Sequence, residues 1–210
     1  MLPQQENLSL ARQISVRALL GADLGERAER SGGRLDSGSG QTRIEIRFLG
    51  RDLRLSFPTG TLEYREGEEP LSLREEILVL HYLQGASGSP PLAKWISFAE
   101  IPGGAFYHPV FLQRCKTPLV RFFGEDPERM LATAVEKFHG EFWPMGDVGV
   151  KIQAFPLVPL ALVLWKGDKD FPPEGNVLFD ASISSYFPIE DIVILAETVV
   201  WKLIKAKGRT

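Results

Sequence analysis

The chain has one cysteine, Cys115, in 210 residues. No internal disulfide can form, and this chain alone cannot supply a four-cysteine iron–sulfur or zinc site. Cys115 stands among Val110, Phe111, Leu112 and Leu119, which suits a small buried hydrophobe better than a reactive thiol. Lysine is absent before Lys94, and up to residue 74 eleven arginines face eleven acidic residues. With a net charge of −3, no basic stripe speaks for nucleic acid or anionic lipid. No apolar run approaches the ~20 residues that span a bilayer. Gln4, Gln5, Glu6 and Asn7 interrupt any amino-terminal signal core. A reduced, cytoplasmic protein is expected, with neither nucleic acid nor membrane as its partner.

Chemical motifs are scarce too. There is no phosphate-binding glycine loop and no dinucleotide fingerprint. Gly85-Ala86-Ser87-Gly88-Ser89 comes nearest to a nucleophile elbow, and its spacing is wrong. His81, His108 and His139 lie too far apart for the short ligand spacings of zinc. The sequence therefore names no cofactor, no metal and no reaction.

What is present is an ordinary globular composition, 44% apolar and 24% charged. The length suits one domain over residues 1–210. Its amino-terminal segment, to about residue 36, reads as helical, with Leu10, Ile14 and Ala18 at helical spacing and a capping pattern at Asp23 and Glu26. The Gly/Ser-rich stretch of about 31–40 reads as a flexible loop. Ile44, Ile46 and Phe48, then Leu53, Leu55 and Phe57, alternate with polar residues, which predicts a hairpin with one buried face. Its other face carries Arg43, Arg47 and Arg54, able to bind an anion, although a solvated sheet face is the commoner meaning of that pattern. Ser72 with Glu75, and Asp126 with Pro127, mark helix starts. Strands are expected at 148–155 and 160–165, and a last helix after Pro188 with Ile192, Leu195, Val199 and Leu203 facing inward. The order implies an α+β fold: an antiparallel sheet of about four to six strands with helices packed against it.

Three constellations are candidates for function. Lys94, Trp95, Ser97 and Glu100 precede Gly103 and Gly104, and His108 follows. A cation, a ring, a hydroxyl and an acid beside a glycine break are the materials of a pocket wall. Asp168 and Asp170, with Glu174, form an acidic loop stiffened by Pro172 and Pro173, suited to a hard cation or to acid–base work. A charged surface turn, with Lys166 and Lys169 among the acids, is the commoner meaning of that pattern. Asp180 can cap a turn or meet a ligand. The expected function is that of an accessory module binding a small molecule or a protein at a groove between the 94–108 and 166–182 segments. The alternative is an enzyme using the acids of 168–180 with Lys94 or His108.

The phrases Lys94-Trp95-Ile96-Ser97-Phe98…Pro102-Gly103-Gly104 and Leu164-Trp165-Lys166-Gly167-Asp168-Lys169-Asp170-Phe171-Pro172-Pro173, followed by Leu178-Phe179-Asp180, resemble the bacterial and archaeal family catalogued as domain of unknown function 3786. The resemblance runs from about Arg43 to Ala206. It implies an association with anaerobes, some members being similar to fusions with a small cysteine-rich iron–sulfur domain. With a single cysteine, this chain would meet such chemistry through a separate iron–sulfur protein partner. The resemblance brings no catalytic residues.

Overall fold

A computed structural model describes residues 3–67 and 70–207. Among these residues the strands form two antiparallel sheets rather than one, with helices around them. The α+β class is as expected; the division into two sheets is not visible in the strand pattern.

Helices α1 (Pro3–Leu20) and α2 (Leu24–Arg30) open the chain. Asp23 Oδ1 accepts from the N–H groups of Gly25 and Glu26 at 2.8 and 3.0 Å, which satisfies donors that the first turn leaves free. The helical spacing of α1 is correct, but its buried face is not the expected one. Leu10 and Ile14 are more than half exposed, while Ser15, Val16 and Leu19 are buried. The reason is the neighbour: α1 lies on α3 (Leu73–Gly85), where Arg12 pairs with Glu76 and Gln84 donates to the Ser15 carbonyl at 2.6 Å.

The first sheet is a meander of β1 (Arg34–Asp36), β2 (Thr42–Phe48), β3 (Arg51–Phe57) and β4 (Thr61–Tyr64). Strand β1 falls inside the stretch expected to be a loop; Arg34, Leu35 and Asp36 pair with Glu45, Ile44 and Arg43. Ile44, Ile46, Phe48, Leu53, Leu55 and Phe57 are buried, so the period-2 reading holds.

Helix α3 starts on a capping box, the Ser72 N–H donating to the Glu75 carboxylate at 2.8 Å and Ser72 Oγ accepting from the Glu75 N–H. Then α4 (Gly104–Phe111) passes through a π-helical turn at Leu112–Lys116 into α5 (Thr117–Phe123). Pro118 stands at the start of α5, where its missing N–H costs least. Helix α6 (Pro127–Phe138) closes on His139 in the left-handed region at φ 53°, one residue before Gly140.

The second sheet has the order β5-β9-β8-β7-β6. Its strands are β5 (Trp95–Ser97), β6 (Glu141–Trp143), β7 (Val148–Phe155), β8 (Val158–Trp165) and β9 (Glu174–Asp180). One face buries Val150, Ile152, Leu160, Leu162, Leu164, Val177 and Phe179. Helix α7 (Ile189–Lys207) contributes Ile192, Leu195, Val199 and Leu203 to the same core. The two sheets meet at Phe48 and Phe155, whose ring centroids are 4.8 Å apart, and the Leu49 N–H donates to the Ala154 carbonyl. Tyr82 stacks on Phe155 at 4.2 Å and donates its hydroxyl proton to the Ser31 carbonyl.

Candidate functional site

Strand β5 brings two of the three sequence-marked segments together. Trp95, Ile96 and Ser97 pair with Asp180, Phe179 and Leu178 of β9, and the Lys94 carbonyl accepts from the Ala181 N–H at 2.8 Å. Asp180 thus ends a strand rather than standing in a loop. It is fully buried, and Oδ1 accepts from the N–H groups of Leu92 and Ser182 and from the Ser182 hydroxyl at 2.6–3.0 Å. Burial pushes this carboxyl up, but those hydrogen bonds outweigh it and hold Asp180 below its usual range. The bonds fix residues 92–94, including Ala93 in the left-handed region at φ 55°, which an L-residue enters only when its surroundings impose it.

Much of the marked 97–108 segment is occupied with its own backbone. The Glu100 carboxylate accepts from the N–H and hydroxyl of Ser97, both at 2.7 Å, and these bonds hold Glu100 below the usual carboxylate range. Gly103 adopts φ 81° ahead of α4. A Cβ on Gly104 would come within 1.9 Å of the Phe98 carbonyl oxygen, so that glycine serves the approach of two backbone segments. His108, half-buried on α4, lies beside the Phe111 ring at 6.3 Å between centroids.

Asp168 and Asp170 are elsewhere. They occupy the loop between β8 and β9, beyond Glu174, whereas β5 pairs with the opposite end of β9. Six residue steps along β9 separate the ends by about 20 Å. The groove expected between the 94–108 and 166–182 segments therefore has only its 178–182 side in place. Asp168 Oδ1 accepts from the N–H groups of Asp170 and Phe171 at 2.7 and 2.9 Å, a self-contained turn. Glu174 pairs with Lys116 at 3.0 Å. Among the described residues no three His, Cys, Asp or Glu side chains are grouped to hold a metal ion.

The structure adds partners that the sequence did not mark. Cross-strand pairing puts Ser97, Leu178, Ala161, Lys151 and Glu141 in one row across all five strands. Trp143, Gly149, Val163 and Asn176 form the next row, and Trp165 with Glu174 lies beyond. This row set faces away from the Leu162–Phe179 core. Trp95 and Trp143 belong to the two outermost strands, which in a flat sheet would lie about 19 Å apart. Their rings are nevertheless in contact, with centroids 4.9 Å apart, so the sheet curls toward this face. Lys151 Nζ lies 5.7 and 5.3 Å from the two ring centroids, close enough for a cation–π attraction. Beneath the rings Ala161 and Val163 are fully buried, although they point outward. The loop after β6 helps to cover them, since a Cβ on Gly146 would fall 2.6 Å from Val163. Trp165 and Met145 remain about 40% exposed.

Trp143 escaped the sequence reading because β6 is three residues long and carries no alternation of its own; Lys151 lies on the expected strand β7, but its ring neighbours come from β5 and β6. Strand β9 had a signal, Val177 and Phe179 alternating with Asn176, but Leu178 blurred it.

Comparison with curated proteins and with solved structures finds no match. A family model does match, over residues 23–202, a span that holds both sheets from β1 to β9, the tryptophan face and most of α7. The chain belongs to the family described as Domain of unknown function (DUF3786).

Proposed function

We propose that the protein is an accessory module that binds a partner protein on the open face of its second sheet. The observation that carries this reading is the placing of three of the chain's four tryptophans, Trp95, Trp143 and Trp165, on that one face. Single exposed apolar residues need no explanation. Two of these tryptophans lie against the Lys151 cation, and tryptophan and methionine are enriched at protein interfaces, tryptophan also at their energetic centres. The Trp95 and Trp143 rings fill the space between each other, with centroids 4.9 Å apart, which favours a protein surface over a small molecule.

The enzyme reading loses support from the distance between Lys94 and the acids of the 168–170 loop. A separate iron–sulfur protein is the partner class that the family resemblance brings. Any cluster would have to be carried by that partner, because Cys115 is buried, its thiol is pushed up by that burial, and it points at the Val193 carbonyl. A cytoplasmic setting agrees with this single free thiol. No helix among the described residues is long and apolar enough to cross a membrane.

The test compares the proteins retained from a native extract by the wild-type chain and by two variants, Trp165→Ala and Phe106→Ala. Phe106 is the control, 88% exposed on α4. A protein held by wild type and by Phe106→Ala, and released by Trp165→Ala, is the expected result. The same retained set for both variants would refute the reading.

A further inference from the structure

We propose that the charged face of the first sheet holds a small oxyanion of the phosphate class, at a site independent of the tryptophan face. Cross-strand pairing sets Arg34, Glu45 and Arg54 in one row and Arg47 with Asp52 in the next. Arg65 follows β4, its N–H bonded to the Asp52 carbonyl at 2.9 Å. These six side chains border a concavity of about 260 Å³.

Four guanidiniums against Glu45, Asp52 and Glu63, the last paired across from Arg54, leave a local excess of one positive charge on a chain whose net charge is −3. The carboxylates do not use up the donors. Glu45 accepts from Arg34 at 2.6 Å and from Arg54 at 3.4 Å. Asp52 meets Arg47 at 3.3 Å, both side chains more than half exposed. Arg65 has no carboxylate partner among the described residues, and Arg54 Nε is buried without an acceptor. Each guanidinium is a planar fork that grips a tetrahedral oxyanion with two parallel N–H donors. Arg47 and Arg65 are the diagonal neighbours of Arg54 on the two flanking strands, about 8 Å away, a span that long arginine side chains can close on one phosphate. A carboxylate offers two oxygens to these forks, whereas a phosphate offers three or more and can engage several forks at once.

The experiment titrates inorganic phosphate, and separately glycerol phosphate, into the full chain by calorimetry, with chloride at equal ionic strength as the reference. Saturable binding of either phosphate is expected, absent with chloride. Arg65→Gln should weaken it about tenfold, one lost charge-assisted contact, and Arg47→Gln with Arg65→Gln should weaken it further. Melting temperatures in phosphate-free buffer should stay near wild type, since both side chains are exposed. Tighter binding of glycerol phosphate would identify an ester as the ligand, and tighter binding of inorganic phosphate the free ion. Heats equal to those of chloride, or unchanged phosphate affinity in a folded double variant, would overturn the proposal.

Discussion

Asp180 ties the start of β5 to the end of β9 through one carboxylate oxygen, and its other oxygen is buried without a partner. A charge in that position is tolerable only while its hydrogen bonds are intact. Asp180→Ala is expected to cost about 3 kcal/mol, because several charge-assisted bonds are lost together. Amide exchange at Leu92 and Ser182 should speed up with it. The folded-state value of this carboxyl is held below the unfolded one, near 3.9. Its stabilising contribution is therefore complete above that pH and disappears as pH falls through the folded value. Denaturant titrations of wild type and Asp180→Ala at pH 7 and pH 2.5 should converge at the lower pH. A gap that persists would mean that packing, not charge, sets the effect.

Among the elements, those with local signals were legible in the sequence. The caps at Asp23, Ser72 and Asp126 are where residue type placed them, because an N-cap is decided within four residues. The hairpin of β2 and β3 was equally readable from its alternation. What was not legible depended on distant neighbours. The buried face of α1 is chosen by α3, and Leu10 and Ile14 offer the same spacing to solvent. The left-handed end of α6 falls on His139, and β9 is an interior strand although one of its outward residues is apolar. Of the candidate site, the meeting of the Trp95 and Asp180 segments could be anticipated, whereas the separation of Asp168 depended on strand order.

Glu75 joins local and distant terms, since it closes the α3 capping box and pairs with Lys202 of α7 at 2.5 Å. Burial pushes it up, but the bonds from Lys202 and Ser72 prevail and its carboxyl stays below the usual range. Glu75→Gln should cost about 1.5 kcal/mol at pH 7. The difference should shrink as pH falls through the folded value and the native carboxylate takes up its proton. Urea unfolding at pH 7 and pH 3 measures it, and equal losses at both would show that the Lys202 pair contributes nothing.

At the scale of the whole molecule, one buried cluster runs from Ile44 and Phe48 of the first sheet through Tyr82 and Phe155 to Phe179 and Leu195. That shared core joins the two sheets among the described residues. It also leaves each sheet with an outward face of different chemistry: arginines and carboxylates on the first, tryptophans around a lysine on the second. Rigid sheets with contrasting faces suit a protein that holds others in position, and the second face is the one assigned to a partner protein.

The most direct measurement replaces Trp165 in cells with a photo-cross-linking amino acid, alongside the same replacement at Phe106. A discrete adduct with another protein, formed from position 165 and absent from position 106, is the expected result. No adduct from 165, or the same adducts from both positions, would contradict the assignment of the tryptophan face as the docking surface.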